Sequence, residues 1–398
     1  MTIFVEPFIS RNLTHRPRYE SIDAMIAPIL TTHVGSLPRP DDLVSLLRQK
    51  DEGAAIDRAG FEARVRACVE DVVGKQRAVG LHIVNDGEQG KPDYSTYIKD
   101  RFTGFEGESA TMPMGADLKD FPAFAARTRT AASERRPTCS GPIAWKDFGA
   151  VENDIANLTR AAEQAPAADV FMTSVSPGQA SRFLLNRYYP GHEAYVHALA
   201  DLLKREYTAI VRAGFVLQID CPDLGSGRNN QFQHLTLAEF RRAAAMHVEA
   251  LNSAVAELPP DRMRMHVCWG NYEGPHHRDV PLRDIIDILL TARPAGLSVE
   301  GANPRHAHEW NVFESVRLPE GKVLIPGVLD TTTNFIEHPD LVAQRILRYA
   351  RVVGYQNVIA GVDCGFATFA SRPTVEPEIA WAKLGSLVEG ARLASERS

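Results

Sequence analysis

Met263-Arg264-Met265-His266-Val267-Cys268 has the alternation of a β-strand. Side chains alternate between the two faces of a β-strand, so His266 and Cys268 share one face. Two similar apolar runs follow. One ends in Ser298-Val299-Glu300 and the other in Val362-Asp363-Cys364-Gly365. His266, Cys268, Glu300 and Cys364 therefore fall at consecutive strand ends, and their mix of nitrogen, sulfur and carboxylate donors suits Zn²⁺. Taken alone, His266 and Cys268 fit equally well a buried thiol beside a satisfied core histidine. Glu300 and Cys364 favour the metal site, because unpaired Glu is seldom buried.

Working outward, strand-like runs alternate with amphipathic helical patterns. The strands are expected at Ile29–Ser36, His82–Asp86, Val170–Ser176, Val216–Asp220, Met263–Cys268, Leu297–Glu300, Val323–Leu329 and Val358–Asp363. Helical patterns include Tyr195–Ala213, Leu237–Leu258, Asp340–Val353 and Pro377–Ala394. Eight strands in such a series predict an α/β chain folded as a (β/α)₈ TIM barrel, one catalytic domain over residues 29–398. Ser36, Asp86, Glu88, Asp220, Cys221, His266, Cys268, Glu300, Asp330 and Cys364 all sit at strand C-terminal ends. In a barrel those ends form one mouth, where active sites are built. The stretch from about 101 to 150 lacks a clear period and reads as an insertion near the mouth, a lid with an extra strand.

The 398 residues are 44% apolar and 24% charged, an ordinary globular composition. A net charge of −6 gives no basic footprint, which argues against nucleic acid as a partner. No run is long and apolar enough to span a membrane. Residues 1–28 read as an N-terminal extension, which leaves open an arm packing on a neighbouring subunit of a homo-oligomer. The five cysteines are scattered and odd in number, arguing for a reducing cytoplasm rather than a disulfide framework. Cys68 lies in a helical pattern and reads as core.

One ordered set of motifs carries a resemblance. It comprises Thr31-Thr-His-Val-Gly-Ser-Leu-Pro-Arg39, Asp86-Gly-Glu88, Gln218-Ile-Asp220-Cys-Pro, His266-Val-Cys268, Ser298-Val-Glu300, Pro326-Gly-Val-Leu-Asp330 and Asp363-Cys364-Gly365. In this order and at these intervals, it resembles the catalytic C-terminal domain of the cobalamin-independent methionine synthases of methionine biosynthesis and their short relatives. The resemblance runs from about residue 30 to the C-terminus. It implies a zinc ion held by His266, Cys268, Glu300 and Cys364. It also implies an amino-acid thiol near Ser36, Glu88 and Asp220, with the two acids accepting an ammonium group. Methyl or alkyl transfer would then proceed through a zinc-bound thiolate, with Glu300 the ligand that loosens.

Departures from the family accompany the match. The histidine that follows Asp330 in the synthases is replaced by Thr331-Thr332-Thr333. The tryptophan on which folate stacks has no counterpart in Ser174–Phe183, and Cys221 stands where the synthases have Glu. The N-terminal half of the full-length synthases is also missing from this sequence. These losses concern folate, and they leave open a non-folate methyl donor. They also resemble epoxyalkane:coenzyme M transferases, whose sulfonate would need Arg39, Arg228 or Arg305. Each of these arginines serves equally as a surface or cap charge. A general acid would come from Asp330, His33, His276, His277, His306 or His308. Uroporphyrinogen-decarboxylase-like proteins share the barrel without a metal, and the His/Cys/Glu/Cys set argues against that chemistry. A structural zinc site would use closely spaced Cys pairs, which this chain lacks.

Overall fold

The computed structural model describes residues 28–107, 110–128, 135–370 and 374–397. The expected extension, apart from Pro28, lies outside the described residues. Six strands form one parallel sheet. They are β1 (Ile83–Val84), β2 (Asp169–Val175), β3 (Val216–Asp220), β4 (Met263–Val267), β5 (Gly296–Val299) and β6 (Val323–Pro326), adjacent in chain order. The sequence predicts eight strands, and six form the ladder. Ile29–Ser36 and Val358–Asp363 make single bridges, Thr31 to Ala360, Val358 to Leu324 and Gly361 to Gly327. Backbone hydrogen bonds nevertheless continue from both sheet edges into these segments. Ile83 N donates to Thr31 O (3.0 Å), Ala360 N to Leu30 O (2.8 Å) and Ile359 N to Leu324 O (3.0 Å). Glycines allow close approaches beside these bridges. Gly35 has φ +149°, and a Cβ on Gly327 would lie 2.1 Å from Asp363 Oδ1.

Helices cover the outside. α1 is Asp41–Asp51, α2 Arg58–Val79, α3 Gly149–Gln164, α4 Pro177–Phe183, α5 His192–Arg212, α6 Leu237–Ala254, α7 Pro339–Val353 and α8 Pro377–Glu396. Their ends follow local chemistry. Thr236 and Glu239 form a capping box that starts α6, and α2 stops at Gly80 with φ +99°. α7 buries Val342, Ala343, Ile346, Tyr349 and Ala350, the one-sided stripe of an amphipathic helix. Among the described residues, no helix is long and apolar enough to cross a membrane.

Alternation along β4 sorts its side chains. Met263, Met265 and Val267 join the apolar core that the helices share. Arg264 points the other way, its guanidinium 3.6 Å from the Phe171 ring centroid. It donates to Gln218 Oε1 (2.8 Å), Thr32 Oγ1 (2.9 Å) and His33 O (2.8 Å). Below it sits a separate cluster of Ile83, Phe171, Val216, Val323, Ile325 and Ile359, drawn from four strands and one bridging segment. The same parity that turns Arg264 inward turns His266 inward, one step nearer the strand ends.

Between β1 and α3 the chain makes a long excursion over those ends. It carries the antiparallel pair Ala110–Thr111 with Arg135–Arg136 and two short helices, Ala116–Asp120 and Pro122–Ala125. These elements fall within the stretch expected as an insertion over 101–150.

Candidate active site

A cavity of about 390 Å³ opens at the strand C-terminal ends. Ser36, Glu88, Asp220, His266, Cys268 and Cys364 all line it, so the structure brings six of the eight expected site residues to one space. Glu300 and Asp330 stand outside its lining.

His266, Cys268 and Cys364 are buried, and one donor atom from each lies within 4.8 Å of the others. His266 Nδ1 faces Ser298 Oγ at 3.4 Å, while its Nε2 is buried without a hydrogen-bond partner among the described residues. An oriented imidazole with one orphaned nitrogen beside two thiols fits a metal such as zinc. Contact with the Cys364 thiol holds the Cys268 thiol well below its usual range, against burial and with help from His266. The same contact, together with burial, pushes Cys364 well above it.

Glu300 does not join the three donors. Its Oε1 accepts from Trp269 N (2.7 Å) and its Oε2 from Asn303 Nδ2 (2.7 Å). Burial pushes its carboxyl up to about 8, opposed by His306 and reinforced by Cys268. His306 Nε2 stands 3.9 Å from Oε2. The expected fourth ligand is thus held beside the centre with both oxygens engaged.

Glu88 and Asp220 form the other charged feature. Glu88 takes φ +55°, a left-handed conformation that non-glycine residues rarely adopt. Asp86 Oδ1 accepts the Glu88 N–H (3.0 Å), and Arg39 clamps the Glu88 carbonyl from Nη2 (2.6 Å). The Glu88 side chain accepts from Thr173 Oγ1 at Oε1 (2.8 Å), and among the described residues Oε2 is buried with no partner. Asp220 Oδ1 accepts from Gln218 Nε2 (2.8 Å). Burial, and then the charge of Glu88, push Asp220 up to about 7. Burial raises Glu88 as well, and the buried Lys91 ammonium and the Arg39 guanidinium draw it back down; a further cation arriving at the pair would relieve the remaining cost of burial and mutual repulsion.

Several sequence expectations are not met. Asp330 spends its carboxylate on Thr332 N (3.0 Å) and on the hydroxyls of Thr332 and Thr333, so it caps the turn that follows it. Arg39, Arg228 and Arg305 donate to backbone carbonyls and do not line the cavity. His276 and His306 both bind Asp279, His277 binds Asp120 and His33 binds Gln76; none of these histidines lines the cavity, nor does His308. Cys221 is buried, with Sγ 3.6 Å from Ile219 O, apart from the three donors. Sequence reasoning passed over Tyr94 and Arg182, which line the cavity. The available signal was the position of Arg182 just past the end of β2.

The insertion roofs the cavity with Met112, Pro113, Leu118 and Phe124. Asp117, fully buried, fastens it. The carboxylate accepts from Asn229 Nδ2 (2.8 Å), His276 N (3.3 Å) and the Tyr272 hydroxyl. Replacing Asp117 by Ala is expected to cost about 2 kcal/mol of stability, because buried partners of a charged acceptor are left unpaired. Limited proteolysis should then cut between 110 and 128 faster than in the parent. Unchanged cleavage there would show that Asp117 does not fasten the roof.

No family model matches the chain. Over 371 residues it is 24% identical to the methionine synthase of Thermococcus kodakarensis, covering 93% of this chain and 94% of that protein. It is also 24% identical, over 372 residues, to the uncharacterized protein YxjH of Bacillus subtilis, covering 91% of this chain and 94% of that one. Among solved structures, the B12-independent methionine synthase of Shewanella sp. W3-18-1, in complex with selenomethionine, superposes with a TM-score of 0.72 at 17% identity. That match covers 93% of this chain and 99% of the Shewanella chain. The resemblance to cobalamin-independent methionine synthases thus holds over almost the whole chain, in sequence and in fold.

Proposed function

We propose that this chain is a transferase that moves a methyl or other small alkyl group onto the sulfur of a small amino-acid thiol, homocysteine being the first candidate. The observation that carries the reading is the orphaned His266 Nε2 with the Cys268 and Cys364 thiols around it, in the cavity that also holds Glu88 and Asp220. Zinc held by His266, Cys268 and Cys364 would supply the charge that makes an incoming thiol a thiolate at neutral pH. Ser298 orients His266. Glu300 supports the centre from behind through Trp269 N and Asn303. Glu88 and Asp220 take the substrate ammonium and so aim its sulfur. The roof over 112–124 excludes water, which strengthens each of these charge contacts. The acid pair also favours an amino-acid thiol over a sulfonated one, which has no ammonium to offer. A (β/α)₈ barrel is the finer reading of the fold, supported by the hydrogen bonds that run on from both sheet edges. Five buried free cysteines fit a reducing cytoplasm.

The test is methionine formation from homocysteine by zinc-loaded protein, offered a panel of methyl donors and read by mass spectrometry. Methyltetrahydrofolate is expected to turn over about 10²-fold or more below the best donor, since the family's general-acid histidine and stacking tryptophan are missing. Methyltetrahydrofolate proving the best donor would overturn that expectation. No S-methylated thiol from any donor would overturn the function.

A further inference from the structure

Arg182, on α4, is 6% exposed and lines the cavity. Its Nη1 donates to Gln179 Oε1 (3.2 Å) and Ser226 Oγ (2.6 Å). Among the described residues those are its only hydrogen bonds, and its Nε is buried with no acceptor. The side-on edge of the guanidinium, formed by Nε–H and Nη2–H, is therefore unspent. That edge presents two parallel donors spaced for the two oxygens of a carboxylate. No carboxylate among the described residues lies within ion-pair distance of Arg182. Charges are rarely buried without a partner.

The surroundings say which substrate the edge serves. The Arg182 guanidinium stands 5.1 Å from the Phe183 ring centroid, and that ring packs against Tyr94 at 6.1 Å. A second guanidinium, Arg136, lies 4.1 Å over the same ring. This wall is aromatic and cationic, while the thiol's ammonium belongs with Glu88 and Asp220 on other elements. We propose that the alkyl donor carries a carboxylate or similar planar oxyanion, which docks side-on at Nε and Nη2 of Arg182 with its body against Phe183 and Tyr94. The inference rests on the thiol-transfer reading above and adds the chemical class of the second substrate.

Bromoacetate and bromoacetamide are the probes, differing in charge at one group. In each case homocysteine sulfur forms a bond to the CH₂ carbon and the C–Br bond breaks. Bromide leaves with the bonding pair, and the thiol proton passes to buffer. The S-carboxymethyl and S-carbamidomethyl products are quantified with and without zinc-loaded protein. The protein is expected to raise the bromoacetate-to-bromoacetamide product ratio about tenfold or more over the uncatalysed ratio. Arg182→Gln should return it to the uncatalysed value, and Arg182→Lys, which keeps the charge without the fork, should recover part. Zinc content and circular dichroism verify folding. Should Arg182→Gln not fold, the parent and Arg182→Lys ratios decide. A parent ratio equal to the uncatalysed one overturns the proposal. So does an Arg182→Gln ratio equal to the parent's, or a loss confined to the KM for homocysteine, which would assign the edge to the thiol's own carboxylate. No zinc-dependent alkylation by either reagent would strike the thiol-transfer reading itself, and this inference with it.

Discussion

Changing Cys268 or Cys364 to Ser is expected to abolish zinc binding and to lower turnover by roughly a thousandfold or more, about 4 kcal/mol of transition-state stabilisation. A serine hydroxyl is not ionised near neutral pH, so it cannot replace a thiolate ligand. Each substitution leaves only two of the three close donors. Metal content per chain, measured after dialysis against a weak chelator, is the direct readout. Full zinc occupancy in either variant would remove the ligand assignment. Glu300 gives a graded contrast. Its oxygens are already bound by Trp269 N and Asn303 Nδ2, so Glu300→Gln is expected to weaken metal affinity only about 10- to 100-fold, the size of a supporting-contact effect. Equal loss in Glu300→Gln and Cys268→Ser would instead make Glu300 a full ligand.

The histidine and thiol pair was legible because strand alternation is a two-residue rule that needs nothing outside the strand. Cys364 was legible because apolar runs end where the chain reaches the mouth. The position of Glu300 followed from the same logic. Its engagement did not, since that depends on where Trp269 N and Asn303 arrive. Arg264 shows the limit most clearly. A charged residue in a strand ordinarily faces water, yet this one is buried because Gln218, Thr32 and His33, brought from two other elements, supply its acceptors. Arg182 was unreadable for a related reason, since its importance lies in which of its N–H groups are already spent. The two missing strands failed on backbone detail. Apolar composition alone does not distinguish the single bridges made at Thr31, Val358 and Gly361 from a continuous strand.

Glu88→Gln and Asp220→Asn are each expected to raise the KM for an ammonium-bearing thiol about 10²-fold, the loss of a buried charge-assisted contact, with a smaller change in kcat. Their pH behaviour separates recognition from mere structure. Asp220 titrates at about 7 rather than its ordinary 3.8, owing to burial and to Glu88. Because its folded value lies above its unfolded one, the folded state binds more protons between those limits. The ligand-free, metal-free protein should therefore lose stability as pH rises from about 4 to about 7, opposite to a paired carboxylate. An arriving ammonium must displace that proton, so kcat/KM should fall as pH drops below about 7. In Glu88→Gln the repulsion is gone, Asp220 ionises more readily, and the acid limb should move to lower pH. Urea unfolding across pH and the kcat/KM profile of the two variants provide the measurements. An acid limb that stays in place in Glu88→Gln would dissolve the pair as a unit. A KM unchanged in both variants would remove the ammonium site and, with it, the choice of an amino-acid thiol as substrate.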